Sequence, residues 1–277
     1  LPEHLRAGLG ITSHVQAGQE GDGVVLRPAP GTFVPHEQPA PPPAVTPGSE
    51  PVAALREVTK AFGTRSLFAG YDADFRRGAM TAVIGRSGSG KSTMLAMLAG
   101  LERPDAGEVL VLGQSLSRLD RDGLAGLRRS SVAYVGQEPG LVGFLSAEEN
   151  VTLTLGLRGV TGAAAVDRAR ESLSRVGLGP RSDQRAARLS AGERQRLAIA
   201  RALATGADLL LVDEPTSRLD QANAESVAAL LADAAAGRSL AVVCATHDPL
   251  LIESAGVEMR LDDEPSAPVP GAGAVAD

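Results

Sequence analysis

The stretch Gly85-Arg86-Ser87-Gly88-Ser89-Gly90-Lys91-Ser92 constrains this chain more than any other. It fits G-x-x-x-x-G-K-[ST], the spacing of a phosphate-binding loop. The apolar run over 80–84 reads as a buried strand, and 93–99, opening at Thr93, reads as a helix. A loop between strand and helix turns successive backbone N–H groups toward one point. The helix N-terminus adds its partial positive charge. Gly88 and Gly90 leave no Cβ between the backbone and a phosphate oxygen. Lys91 suits the β- and γ-phosphates of a nucleotide, and the Ser92 hydroxyl suits Mg²⁺. A Gly/Ser-rich turn matching by chance would lack the two flanking elements.

The rest of the chain bounds what that loop can serve. At 277 residues there is room for one large domain or two small ones. Net charge is −6, with no block of basic residues, so nucleic acid is not expected as a partner. Cys244 is the single cysteine and sits in an apolar run, where packing is its expected role. No apolar run approaches the roughly 18 residues that span a bilayer, so a membrane connection would come through a partner. The start at Leu1-Pro2-Glu3 lacks Met and reads as a processed or excised chain. Residues 1–27 read as the remnant of a preceding domain, with one short strand over 23–27. Proline crowds 28–51, as in an extended linker. The tail 262–277 is rich in Pro, Gly, Ala and acids and reads as disordered. The folded unit is therefore 52–261.

Within that unit, strands are expected over 52–58, 71–75, 80–84, 109–112, 132–135, 209–212 and 240–244. The second and third flank a turn at Arg77-Gly78. Helices are expected over 120–129, 147–157, 163–176, 190–204 and 222–236. Strands that are apolar throughout, alternating with helices, predict an α/β fold with a mostly parallel sheet.

Two further motifs carry chemistry. The run Leu209-Leu210-Leu211-Val212 delivers Asp213 and Glu214 at a strand's C-terminal end, where open α/β sheets place ligands. Asp213 suits Mg²⁺, directly or through water, and Glu214 suits an attacking water. Alone, the pair would also fit a solvated turn. Leu189-Ser190-Ala191-Gly192-Glu193 contains S-x-x-E, a capping box for the helix that follows. A helix start exposing Ser190 and Gly192 is also an anion site, fit to meet a γ-phosphate held by another subunit.

Taken in order, these residues resemble the nucleotide-binding subunits of ATP-binding-cassette (ABC) transporters, over about 52–261. The family's signature is usually Leu-Ser-Gly-Gly-Gln; here Leu189, Ser190 and Gly192 match, while Ala191 and Glu193 depart. Phe62 stands where the family places an aromatic that stacks on adenine, although it also suits packing. Gln137 matches the glutamine that senses Mg²⁺ and the partner. Ser217-Arg218-Leu219-Asp220 matches the loop that crosses the dimer interface, and Asp220 equally suits a helix cap. His247 matches the histidine that contacts the γ-phosphate. The resemblance implies a P-loop NTPase cassette with a RecA-like core, an antiparallel β subdomain and a helical subdomain over about 138–188. It implies ATP and Mg²⁺ as ligands.

It also implies a mechanism. ATP sits on the phosphate loop of one cassette, and Ser190 and Gly192 of a second close over it. The second cassette is an identical or homologous copy. Glu214 activates water, His247 supports the transition state, and phosphate loss opens the pair. Glu193 adds a carboxylate where the partner's γ-phosphate would arrive, which is expected to weaken closure. Leu127-Arg128-Arg129, the run 132–137 and the run 144–151 are similar to the lipoprotein-release and macrolide-exporter branch. That implies an integral membrane permease as partner and a place on the cytoplasmic face of the membrane. A soluble ABC ATPase of translation, DNA repair or cell division is the alternative. Such proteins carry tandem cassettes, coiled-coil insertions or basic extensions, and no long charged heptad insertion lies between Lys91 and Asp213.

Overall fold

The computed structural model describes residues 15–20, 23–28, 51–238 and 240–261. Most of the proline-rich span expected as a linker, and the tail 262–277, lie outside the described residues. β1 (Val15–Glu20) and β2 (Gly23–Pro28) form an antiparallel hairpin in a unit of its own. β2 is the strand expected over 23–27. β1 covers residues for which the sequence predicts no strand.

The second unit begins with β3 (Ala53–Phe62), β4 (Arg65–Phe75), β5 (Met80–Ile84), α1 (Lys91–Leu98), β6 (Ala106–Val111) and β7 (Gln114–Ser115). It continues through α2 (Arg121–Ser130), β8 (Val132–Val135), α3 (Ala147–Leu157), α4 (Gly162–Arg175) and α5 (Ala191–Ala204). It closes with β9 (Leu209–Asp213), α6 (Gln221–Arg238), β10 (Ala241–Thr246), α7 (Pro249–Ser254) and β11 (Val257–Arg260). Five strands form one sheet in the order β11-β5-β10-β9-β8, parallel throughout. Four others form an antiparallel sheet, β4-β3-β6-β7. The Arg77-Gly78 turn carries the chain from one sheet to the other: β4 pairs with β3, and β5 with β10 and β11.

Continuous apolar strands follow from burial on both faces. Leu209 and Leu211 enter a core shared by α1, the antiparallel sheet and one face of the parallel sheet. Leu210 and Val212 point the other way, into a core with α5, α6 and α7. Cys244 is buried there, and burial pushes its thiol up out of the reactive range.

α5 is apolar on two sides. Ala198, Ile199, Ala202 and Leu203 pack toward the sheet. Leu197, Ala200 and Ala204 pack against α3 and α4, in a third core lined by Val151, Leu155, Ala169 and Leu173. The helices within 138–188 therefore pack on one face of α5, which follows that span. Each fully buried leucine stabilises by about 1.5–3 kcal/mol. Leu197→Ala, at a position with no solvent exposure, is expected to cost about 2–5 kcal/mol in urea unfolding. A loss below about 1 kcal/mol would show that α5 does not anchor the helical layer.

Candidate functional site

The register of the parallel sheet sets the site. Ile84 of β5 lies opposite Thr246 of β10, Asp213 of β9 opposite Ala245, and Val135 of β8 opposite Val212. β5 and β10 end together, β9 ends one residue earlier and β8 one earlier again, and the residues that follow them emerge along one edge. They are Gly85, His247, Glu214 and, two positions past β8, Gln137. All four, with Phe62 from β3, border a cleft of about 700 Å³, within the size range of small-molecule sites.

The phosphate loop forms the floor. α1 starts at Lys91, two residues before the expected helix. Its N-cap Gly90 has φ +104°, no side chain caps it, and no acid lies in its first turn. Its first N–H groups are therefore left for a ligand. A Cβ on Gly90 would stand 2.8 Å from the Phe68 ring, so the position needs glycine for space as well as for φ. Gly85, Arg86, Ser87, Gly88, Ser92 and Thr93 also border the cleft. Ser89 instead has a buried hydroxyl without a partner among the described residues. Lys91 is 8% exposed, and its ammonium donates to the carbonyls of Gly85 (2.7 Å) and Arg86 (3.2 Å).

The acidic wall is tightly built. The Ser92 hydroxyl stands beside Asp213 and favours its charged form, and the Tyr134 hydroxyl lies 3.5 Å from Asp213 Oδ2. Its Oδ1 is buried with no partner among the described residues. Burial pushes the Asp213 carboxyl above the usual range, against the pull of Ser92. Burial, then the charge of Asp213, pushes the Tyr134 phenol up to about 12, so Tyr134 stays a donor. A buried carboxylate oxygen without a donor is costly, and a hard cation satisfies it. Ser92 and Gln137 border the cleft, while the buried Asp213 is not among its lining residues; together the three fit Mg²⁺. No described group of three His, Cys, Asp or Glu could hold an ion alone, as suits an ion that takes phosphate and water ligands.

Glu214 leaves β9 with φ +46°, a left-handed conformation for a non-glycine residue. That costs on the order of 1–2 kcal/mol. The Ser217 hydroxyl and N–H hold the turn by donating to the Glu214 carbonyl, at 3.0 and 3.3 Å. The turn leaves the Glu214 carboxylate between two nitrogens. Lys91 Nζ is 3.6 Å from Oε1. His247 Nδ1 is 2.9 Å from Oε2, at ion-pair distance but without hydrogen-bond alignment. The His247 side chain is 71% exposed, that of Glu214 14%.

Phe62 is 53% exposed, with the Lys60 ammonium 5.1 Å from its ring centre. Lys60 is itself fixed by Glu102, Asp105 and the Arg103 carbonyl. Sequence reasoning missed Arg65 and Leu67 on the same cleft. The β3–β4 hairpin pairs Arg65 directly with Phe62, and no sequence pattern marks it. Tyr134 is legible in the sequence only as a strand aromatic.

Ser190, Gly192, Glu193 and Asp220 do not border the cleft. Ser190 caps α5 in a complete capping box: its Oγ accepts from Glu193 N (3.2 Å), and Glu193 Oε2 accepts from Ser190 N (2.8 Å). Arg181 Nε stands 3.4 Å from the other Glu193 oxygen. The Ser190 N–H, helped by Arg181 and Arg196, holds the Glu193 carboxyl below its usual range. Glu193 is thus turned back on its own helix and paired, which softens the repulsion expected of it. Asp220 Oδ1 accepts from the N–H of Asn223 (2.9 Å) and caps α6.

The model of the ABC transporter family matches residues 68–217. The lipoprotein-releasing system ATP-binding protein LolD of Chromohalobacter salexigens is 46% identical over 189 residues, covering 68% of this chain and 80% of that protein. The macrolide export ATP-binding/permease protein MacB 1 of Aeromonas hydrophila is 40% identical over 235 residues. That match covers 80% of this chain but 36% of the relative. Among solved structures, a dimeric post-hydrolysis ATP-binding cassette bound to ADP and Pi matches with TM-score 0.67 and 30% identity. It covers 79% of this chain and 99% of that one. With the parallel sheet, the phosphate loop and the acidic strand end in place, this chain belongs to the ABC transporter family, as an ATP-binding and ATP-hydrolysing cassette.

Proposed function

We propose that this chain powers a transporter as one of two paired cassettes, docked on a membrane permease at the cytoplasmic face. The observation that carries this reading is the single edge from which Gly85, His247, Glu214 and Gln137 emerge. The relatives' names, lipoprotein release and macrolide export, support an export branch. The dimeric neighbour with ADP and Pi supports both pairing and hydrolysis. No described helix is long and apolar enough to cross a membrane, so a permease would supply the path.

The backbone N–H groups of the loop, with Lys91, hold the phosphates of ATP, and Phe62 stacks on the base. Ser92, Asp213 and Gln137 would hold Mg²⁺, which would offset phosphate charge. Glu214 accepts the proton of the water that attacks the γ-phosphorus, as ADP leaves. His247, beside Glu214, orients that carboxylate and meets the phosphate. Ser190 and Gly192 of a second cassette complete the site, with Asp220 on the loop that faces it. Glu193 serves that surface by capping α5.

Glu214→Gln keeps the shape and removes the base. Steady-state turnover is expected to fall by about 100-fold or more, with an ATP-bound pair persisting on size exclusion; turnover at the wild-type rate would remove Glu214 from its role. Asp213→Asn tests the cation site through binding alone. ATP affinity measured in EDTA should match wild type, while the gain on adding Mg²⁺ should shrink. An unchanged Mg²⁺ dependence would exclude Asp213 as a ligand.

A further inference from the structure

We propose that Asn223 clamps the two partner-facing elements, the Asp220 loop and the start of α5, into one rigid piece, and that ATP-driven pairing depends on it. The proposal rests on the paired-cassette reading and adds the residue that prepares the surface. Asn223 lies in the first turn of α6. Its backbone N–H and its Nδ2 both donate to Asp220 Oδ1, at 2.9 and 2.8 Å. Its Oδ1 accepts from Arg196 Nη1 of α5 at 2.9 Å. The same amide packs on the backbone of Gly192: a Cβ there would stand 2.2 Å from Asn223 Oδ1 and 2.5 Å from Cγ.

The neighbours dictate the residue type. A guanidinium only donates and a carboxylate only accepts. An amide is the side chain of this size that offers an acceptor to one and a donor to the other, so its orientation is fixed as well. Aspartate here would oppose Asp220, and leucine would keep the bulk with neither bond. Gly192 thereby acquires a cause inside the subunit, since a side chain at 192 would displace the clamp. Leu219 of the loop packs into the core that α5 shares, whereas Ser217, Arg218 and Asp220 are exposed. A surface made of two separate segments pays an ordering cost on association unless they are already joined.

The test uses the full chain carrying Glu214→Gln, so that ATP-bound pairs accumulate, with Asn223→Leu or Asn223→Ala added. ATP affinity is measured at concentrations too low for pairing, and ATP-driven pairing by analytical ultracentrifugation. Single-chain ATP affinity should stay within about twofold, while the pairing midpoint should rise by about tenfold or more. Pairing that survives Asn223→Leu unchanged overturns the clamp. So does single-chain ATP affinity that falls in step with pairing, which would mean general damage. A thermal-unfolding cycle tests the contact itself: Gly192→Ala should melt lower than Gly192→Ala with Asn223→Ala, and the reverse order overturns the packing. If the chain with Asn223 intact fails to pair in ATP, the paired-cassette reading falls first, and the clamp's role falls with it.

Discussion

The parallel register of β5, β10, β9 and β8 is the constraint on which everything else depends. Strands about 4.8 Å apart that end within two residues of one another leave their next residues within reach of one small molecule. A shift of one residue in the β9–β10 pairing would exchange the strands' two faces. It would send Leu210 and Val212 into the wrong core and move Glu214 off the edge it shares with His247. Two apolar cores, one on each face of the sheet, hold that register. The catalytic geometry is thus stabilised by burial far from the cleft. The strain at Glu214, φ +46°, is tolerated because the two strands beside it, β9 and β10, are locked by those cores.

The second dependency is α5. It starts with the Ser190 cap and has one apolar side on the sheet and another on the helical layer. A displacement of the helical layer is therefore felt at Ser190 and Gly192, and through Arg196 and Asn223 at the Asp220 loop. On the proposed reading, the helix whose start would face a second cassette is also packed against the layer on which a permease would act. Chemistry at the sheet edge and motion of the helical layer share one rigid element, so pairing, hydrolysis and docking can bias one another.

Local signatures make much of this legible in the amino-acid sequence. β5, β8 and α3 fall where the apolar pattern puts them, because buried strands and a capped helix are marked by their own residues. Phosphate loop, acidic strand end and capping box are legible for the same reason, and the fold brings Ser92 beside Asp213. What escapes is what depends on distant pairing. β4 starts at Arg65, six residues before the expected strand, because cross-strand bonds to β3 recruit a stretch with Ser66 and Gly70. β11 is an edge strand whose Glu258 and Arg260 face solvent, so it lacks the apolar run of its neighbours. α7 is too short for a period to show. Arg65, Tyr134 and Asn223 gain meaning only from partners far away in sequence or on another element.

On the proposed reading, the cleft is half of an active site and a second cassette supplies the rest. The most direct measurement is ATP turnover per chain as a function of protein concentration, with the association state followed in parallel by ultracentrifugation. A composite site predicts turnover per chain that vanishes on dilution and rises with the fraction of paired chains. Turnover per chain that stays constant while the protein is shown to be single would contradict the account.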